Sequence, residues 1–271
     1  MAILNYREYQ IYYEVYGKGK PLLILNGIMM STNSWKPFIE EFSQLNQLIL
    51  VDFLDQGKSS KLDGMEYDQR IQVDVVRHLI EELKLENLAL FGISYGGEIA
   101  IQFATAYPNM VERCLFFNTA AYTSPWLKEI GVAWNLAASD PAQYYSTTIP
   151  VIYSPSFYEK RLDWMENRRK ILLGVFSDQV FIQAMIRLTN SANNYDERQN
   201  LYKIHCPVLI VGCEHDAITP YPNQVFLAQA IPQSQLVYIP DSGHASMYEK
   251  PVLFSSLIMG FVNNSLTDNV I

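Results

Sequence analysis

Six short apolar segments recur along this sequence, and helix-like stretches separate them. Apolar runs of this length are typical of strands that are buried on both faces of a parallel sheet. An earlier strand, exposed on one face, is predicted at Glu8–Val15, where apolar and polar residues largely alternate. The six buried runs are Pro21–Leu25, Gln47–Phe53, Leu88–Ile93, Cys114–Asn118, Val208–Cys213 and Gln235–Ile239.

The segments between these runs have helical patterns. Ile71–Leu83 places apolar residues on one face, and Glu98–Tyr107 is rich in alanine, which allows a helix to approach a sheet closely. Val225–Ala230 and Val252–Val262 are further candidates. Strands that alternate with helices predict an α/β fold with a mostly parallel, doubly wound sheet and right-handed connections.

One long segment interrupts this alternation. Residues 122–200 contain no clear buried strand, but they contain helix-like stretches with many bulky aromatic residues. We therefore expect a helical lid (cap) at 122–200, inserted into a core made of residues 1–121 and 201–271. An insertion after the carboxyl end of a strand would cover the ligand crevice of the sheet.

The composition excludes some classes of protein. Hydrophobic residues make up 49% of the 271 residues and charged residues 18%, which excludes a largely disordered chain. The formal net charge of −8, without a basic cluster, argues against a nucleic-acid-binding surface.

The cysteines and the N-terminal segment indicate a compartment. Cys114, Cys206 and Cys213 are odd in number and have no disulfide or metal-site spacing, so we expect reduced thiols and a cytoplasmic protein. Met1–Tyr16 lacks the features of a signal peptide. No apolar run approaches the roughly 18 residues that a membrane span needs.

The strongest functional motif is Gly92-Ile93-Ser94-Tyr95-Gly96-Gly97, which follows an apolar run and precedes a helix. This context distinguishes a nucleophile elbow from a chance match to G-x-S-x-G. The tight turn would raise the Ser94 hydroxyl above the sheet and leave the Tyr95 N–H free to stabilise an oxyanion.

A serine hydroxyl needs a base that accepts its proton. His244 lies in a loop just after the last apolar run, at the carboxyl edge of the predicted sheet, and it is the predicted base. His78 falls inside a predicted helix and His205 at the entry of a strand. His215 is the second candidate.

The base in turn needs an anion that orients its ring. Asp216 follows Val208–Cys213 in a loop and is the predicted partner of His244, although Glu214 and Asp241 compete for this role. A second oxyanion donor is expected at the Ile28 N–H, in the loop after Pro21–Leu25. Gly57-Lys58-Ser59 is the end of a P-loop pattern, but Asp52 stands where its first glycine is required.

With these residues in the order Ser94, Asp216, His244, the chain resembles the α/β-hydrolase superfamily. It is similar to the lidded group that includes enol-lactonases, carboxylesterases and carbon–carbon bond hydrolases, over essentially the whole chain except the lid. Two positions depart from the family pattern. Asn26 stands where the family usually has histidine, and Asp55 stands in place of a glycine in the next loop.

These residues and the resemblance predict a serine hydrolase that cleaves an ester or thioester of an apolar acyl or aryl group, without a cofactor or a metal. The same scaffold also supports acyl transfer, carbon–carbon cleavage and lyase chemistry. The departures at Asn26 and Asp55 leave open a catalytically idle protein that binds a small molecule.

The expected partner is a small-molecule substrate or a carrier-bound acyl thioester, with no nucleic acid and no membrane span; the oligomeric state stays open. The substrate pocket is expected to be lined by lid aromatics and one core residue, although the aromatics could equally pack on one another. The predicted pocket residues are Asn26, Trp126, Trp134, Tyr144, Phe157 and Trp164.

Overall fold

A computed structural model describes residues 2–264 of the chain. Its centre is a single sheet of eight strands. The strands are β1 (Ala2–Tyr6), β2 (Tyr9–Tyr16), β3 (Lys20–Leu25), β4 (Asn46–Val51), β5 (Ala89–Ile93), β6 (Arg113–Phe117), β7 (Val208–Cys213) and β8 (Ser234–Ile239). All seven predicted strands are present, with bounds that differ by no more than two residues, and β1 is additional.

The strand order is β1-β2-β4-β3-β5-β6-β7-β8. β2 pairs antiparallel with β1 and β4. The other six strands, β3 to β8, are all parallel to one another. The predicted mostly parallel sheet is therefore confirmed. The order reverses between β3 and β5, which are neighbours, and a doubly wound sheet opens its ligand crevice at such a reversal.

Helices cover both faces of the sheet. In chain order they are α1 (Ile39–Phe42), α2 (Arg70–Glu82), α3 (Tyr95–Ala106), α4 (Pro125–Ala137), α5 (Pro141–Thr148), α6 (Pro155–Lys160), α7 (Leu162–Phe176), α8 (Gln179–Ser191), α9 (Pro222–Ala230), α10 (Ser246–Glu249) and α11 (Pro251–Asn263). Alternate residues of each buried strand face opposite layers. Leu23 and Leu25 join a core with α2, α3 and α9, whereas Leu22 and Ile24 join one with α1 and α11.

Helices α4 to α8 form the helical insertion between β6 and β7, as predicted, and are called the lid below. The two ends of the insertion are joined to each other. Tyr122 and Asp196 form an antiparallel bridge, and the Thr123 N–H donates to the Tyr195 carbonyl at 2.9 Å. The lid therefore begins and ends at one place, beyond the carboxyl end of β6.

The three cysteines are unbonded, with the sulfurs of Cys114 and Cys206 3.7 Å apart. Among residues 2–264, no single helix is long and apolar enough to cross a membrane. Only α7 and α8 taken together have the required length and hydropathy, and they are bent by 93° relative to each other.

Candidate active site

Ser94 lies in the turn between β5 and α3 with φ 54° and ψ −123°. Residues other than glycine rarely adopt a conformation with positive φ. The turn leaves no room for a side chain at Gly92 or Gly96. A Cβ on Gly92 would overlap the backbone of Gly96, and a Cβ on Gly96 would overlap the Leu25 carbonyl of β3. The turn therefore has the strained strand-to-helix geometry of a nucleophile elbow.

The structure brings Ser94, His244 and Asp216 together from three separate loops. His244 Nε2 lies 2.8 Å from Ser94 Oγ, and His244 Nδ1 lies 2.8 Å from Asp216 Oδ2. The three side chains follow β5, β8 and β7, so all of them stand at the carboxyl edge of the sheet. A continuous hydrogen-bonded chain from hydroxyl to carboxylate is the arrangement that activates a serine.

Asp216 is fully buried, and its carboxylate is held by neighbours besides His244. Oδ1 accepts from the backbone N–H groups of Ile218 (2.9 Å) and Thr219 (2.8 Å), and Oδ2 accepts from Asn118 Nδ2 (2.9 Å). Burial opposes ionisation, but the interaction with His244 and these hydrogen bonds hold the pKa of Asp216 below its ordinary value. The carboxylate is therefore ionised and oriented toward His244. Sequence reasoning missed Asn118, although its position directly after β6 could have indicated it.

The competing candidates have other partners. Glu214 accepts from the Asp241 backbone N–H at 2.8 Å, and Asp241 pairs with Lys250 at 3.4 Å. His215 is exposed, and its ring lies 3.9 Å from the exposed Glu214 carboxylate. Of the two remaining histidines, His78 contacts the Asn5 carbonyl at 3.0 Å, and His205 is exposed ahead of β7.

The loop after β3 contains Ile28, and the side chains of Gln56 and Asn26 fix its position by hydrogen bonds. Gln56 Nε2 donates to the carbonyls of Gly27 (2.9 Å) and Ile28 (3.3 Å). Asn26 is completely buried. Its Nδ2 donates to the Val51 carbonyl at 2.7 Å, and its Oδ1 accepts from Trp35 Nε1 at 2.7 Å. Asn26 therefore connects this loop to β4, and it is not among the residues that line the cavity described below.

Asp55 has φ 69°, so the aspartate keeps the left-handed turn that a glycine would make. Its buried carboxylate accepts from Arg187 of α8 at 2.6 and 3.0 Å, from Tyr67 Oη at 2.9 Å and from the Leu62 N–H at 2.9 Å. At this position, where the sequence departs from the family pattern, Asp55 therefore forms an ion pair with Arg187 that joins the core to the lid.

The loop that carries His244 is also joined to the lid. Glu249 accepts from the Gly243 N–H at 3.0 Å and from the Ser154 N–H (3.0 Å) and hydroxyl (2.5 Å), while the Ala245 N–H donates to the Ile152 carbonyl at 2.8 Å. The position of His244 therefore depends on the lid segment between α5 and α6.

A cavity of about 750 Å³ lies between the core and the lid, and Ser94 and His244 are both in its wall. Most of the lining is aliphatic, sulfur-containing or aromatic. The main apolar lining residues are Ile28, Met29, Met30, Trp134, Ile149, Ile152, Leu172, Phe176, Phe181, Met185 and Met247. A cavity of this size and polarity fits a drug-sized apolar group.

The predicted pocket residues are mostly elsewhere. Trp134 lines the cavity, but the other five do not. Trp126 is 53% exposed and donates to the Ala217 carbonyl, and Tyr144 packs against Phe176 at 4.9 Å between ring centroids. Phe157 and Trp164 pack edge to face at 5.6 Å. Tyr144, Phe157 and Trp164 therefore pack within the lid, because a helical insertion must bury apolar surface of its own.

Within residues 2–264, no cluster of three or more His, Cys, Asp or Glu side chains is placed to hold a metal ion.

Comparison with known proteins agrees with this geometry. Residues 20–251 match the family model described as alpha/beta hydrolase fold. The chain belongs to the alpha/beta hydrolase fold family. This alpha/beta hydrolase is 44% identical, over all of both chains, to MGS-M2, an alpha/beta hydrolase enzyme from a Medee basin deep-sea metagenome library, and the two structures superpose with a TM-score of 0.97.

More distant relatives of this alpha/beta hydrolase carry several different names. The pimeloyl-[acyl-carrier protein] methyl ester esterase of Nitrosomonas europaea is 28% identical over 91% of this chain and 97% of its own. The enol-lactonase of Burkholderia xenovorans LB400 shares the fold, with a TM-score of 0.84 at 19% identity over 97% of this chain and 100% of its own. The predicted resemblance to lidded α/β-hydrolases is confirmed.

Proposed function

We propose that the protein is a serine hydrolase that cleaves an ester or thioester of an apolar acyl or aryl group through an acyl-enzyme on Ser94. The observation that carries the proposal is the hydrogen-bonded chain Ser94–His244–Asp216 in the wall of a largely apolar cavity. The same geometry argues against a catalytically idle binder, which would have no use for a strained serine beside an oriented imidazole.

In the first half-reaction, Ser94 Oγ attacks the carbonyl carbon while His244 Nε2 accepts the hydroxyl proton. Asp216 holds the tautomer with the proton on Nδ1 and stabilises the imidazolium that forms. The tetrahedral oxygen would be bound by the N–H groups of Tyr95 and Ile28. As the first residue of α3, Tyr95 has no acceptor one turn earlier in the helix, so its N–H is free for this role.

Collapse of this intermediate transfers the proton from His244 to the leaving alcohol or thiol, which departs and leaves the acyl group on Ser94. Water then enters, gives a proton to His244 and adds to the acyl carbon. The second collapse returns the proton to Ser94 Oγ and releases the carboxylic acid.

A fluorophosphonate probe tests the nucleophile. The wild-type protein should be labelled at Ser94, whereas Ser94→Ala should not. Ser59 is a suitable control, since its hydroxyl is buried and donates to the Asp52 carbonyl, and Ser59→Ala should label like the wild type. A wild-type protein that resists the probe, or a Ser94→Ala variant that labels equally, would exclude this mechanism.

A panel of nitrophenyl esters and acyl thioesters of increasing acyl length tests the substrate class. Each methylene that enters the apolar cavity should contribute roughly 0.8 kcal/mol to binding, so kcat/KM should rise with chain length until the cavity is full. A rate that does not change with chain length would contradict the apolar-acyl assignment.

The expected substrate is a small molecule or a carrier-bound acyl thioester, and the expected location is the cytoplasm. Nitrophenyl esters address only the first possibility. Acyl groups attached to a carrier protein, compared with the same acyl groups on a short thiol, would show whether a carrier contributes to recognition. A faster reaction of the carrier-bound form at equal concentration would support a protein partner.

A further inference from the structure

Arg168 of α7 places a positive charge in the wall of this mostly apolar cavity. Its guanidinium carbon lies 5.3 Å from the ring centroid of Trp164 and 4.6 Å from that of Tyr248. Tyr248 belongs to α10, which begins two residues after His244. Stacking on two rings therefore fixes the guanidinium against the segment that carries the proposed base.

The N–H groups of Arg168 have no acceptor in the part of the chain that the structure describes. Its Nε is buried without a hydrogen-bond partner, and no carboxylate lies within ion-pair distance of the guanidinium. Stacking occupies the faces of a guanidinium but leaves the donors at its edge available. A buried donor without a partner is costly, which suggests that a ligand supplies the acceptor.

The other charged residues in the cavity wall are already engaged. Asp55 is paired with Arg187, and Lys61 Nζ donates to three backbone carbonyls, each at 2.9 Å. Asp178 is exposed and caps α8 by accepting from the Val180 N–H. Arg168 is thus the charged group of this cavity that is free to pair with a substrate.

A nearby phenol also lacks a partner. The Tyr153 hydroxyl is buried with no hydrogen bond, and its ring lies 5.9 Å from that of Trp164. Burial raises the pKa of Tyr153, and the Arg168 charge opposes part of that rise. The two side chains lie in the same part of the lid, because both pack against the Trp164 ring. The Tyr153 hydroxyl is therefore a second donor that a ligand in this region of the lid could use.

We propose that Arg168 binds a carboxylate at the far end of the acyl chain, so that the preferred substrates are half-esters or half-thioesters of dicarboxylic acids. The inference rests on the proposed function, since it specifies the acyl group that Ser94 accepts. A carboxylate is favoured over a phosphate because one guanidinium balances one negative charge. A phosphate dianion in an apolar cavity would need a second cation.

The overall charge of the protein makes this prediction specific. With a formal net charge of −8, the chain does not attract anions in general. A preference for an anionic ester must therefore arise locally. The low polarity around Arg168 strengthens a direct ion pair relative to one in water.

The test compares nitrophenyl half-esters of dicarboxylic acids of increasing length with two neutral series. One series has the terminal carboxylate as its methyl ester, and the other has a methyl group in its place. At the best chain length, the wild-type protein should prefer the anionic ester by roughly tenfold to a hundredfold in kcat/KM, mainly through KM. Equal rates for charged and neutral chains at every length would overturn the proposal.

Substitutions assign the preference to one side chain. Arg168→Met should lose the preference, and Arg168→Lys should keep part of it. Arg169→Met is the matched control, because Arg169 is the next residue of α7 but is exposed and outside the cavity wall, and it should behave like the wild type. If Arg168→Met slows neutral and anionic esters equally, Arg168 only supports the fold and the proposal is wrong.

Binding without turnover separates this proposal from the proposed function. In the Ser94→Ala protein, a free dicarboxylate should raise the melting temperature more than the corresponding monocarboxylate, and Arg168→Met should remove the difference. A protein that shows this difference but hydrolyses no ester has the anion site without the proposed function. A protein that hydrolyses neutral esters but shows no difference has the function without the anion site.

Discussion

Glu98 of α3 is fully buried one helical turn after Ser94, and it lies beside the polar side chain of Gln69, whose Nε2 donates to it at 2.6 Å. Burial raises the pKa of Glu98 from 4.5 to about 8, and the Gln69 hydrogen bond opposes only part of that rise. The carboxyl group is therefore protonated in the folded protein at neutral pH and ionised in the unfolded chain. We predict that this single group makes the stability of the protein fall as the pH rises.

The sign follows from proton binding. Between pH 4.5 and about 8, the folded state holds one proton at Glu98 that the unfolded state has lost, so the free energy of unfolding decreases as the pH increases. The contribution is largest below pH 4.5 and is lost as the pH passes through about 8. Since one pKa unit corresponds to ~1.36 kcal/mol, raising the pH from about 6 to about 9 should remove roughly 3 kcal/mol.

Glu98→Gln tests this because glutamine keeps the shape and the acceptor oxygen but cannot ionise. Urea unfolding of both proteins at about pH 6 and about pH 9 should show that the variant loses roughly 3 kcal/mol less than the wild type over this range. Other titrating groups contribute equally to the two proteins and cancel in the difference. The buried phenol of Tyr95 stays neutral throughout, since burial raises its pKa far above this range.

Glu82→Gln is the matched control, because Glu82 is an exposed carboxylate at the end of α2 and its replacement should leave the pH dependence unchanged. Parallel pH profiles for the wild type and Glu98→Gln would refute the reasoning. They would mean that Glu98 is ionised in the folded protein, or that the fold supplies a counter-charge when it ionises.

Three further outcomes are expected. Asp216→Asn should lower kcat by about 10⁴-fold on any ester that the protein cleaves, because the His244 imidazole would lose its preferred tautomer. The rate is measured at saturating substrate, and a loss below about tenfold would contradict the proposed role of Asp216. Gly96→Ala should destabilise the protein by about 3 kcal/mol in urea unfolding, since its Cβ would overlap the Leu25 carbonyl. Asp55→Asn should destabilise the protein by less than the about 3–5 kcal/mol of a fully broken buried ion pair, because Arg187 keeps the exposed Asp63 carboxylate at 3.1 Å. Adding Arg187→Met should recover part of that loss, and an additive double variant would show that Asp55 and Arg187 are not coupled.

The strands of the core could be predicted because a parallel sheet requires continuous apolar runs, and β7 begins and ends where the pattern predicts. β1 was missed because Ala2–Tyr6 has only five residues and begins with three consecutive apolar ones, so its sequence does not show the alternation that its burial has. Ser94, Asp216 and His244 could be found from sequence because each lies within five residues of the carboxyl end of a strand, and these strands end at the same edge of the sheet.

The cavity lining could not be predicted in the same way. Bulky aromatics can be buried either against a ligand or against one another, and no local pattern distinguishes the two. In the lid, Tyr144 and Phe157 pack on other rings and do not line the cavity, whereas Trp134, Phe176 and Phe181 line it together with aliphatic residues. The ion pair between Asp55 and Arg187 joins residues 132 positions apart, and neither segment contains a signal for the other.

The hydrogen bonds of Glu249 have a consequence for the evolution and engineering of this protein. The lid enters the chain at a single place, which would suit an exchangeable module. Glu249 nevertheless binds Ser154 of the lid and Gly243 beside His244 at the same time. A lid transplanted from another family member would bring a new specificity only if it also carried a hydroxyl and an N–H at the position of Ser154. Without that hydroxyl and N–H, the chimera would have a new binding cavity, but the loop that carries His244 would no longer be held in position.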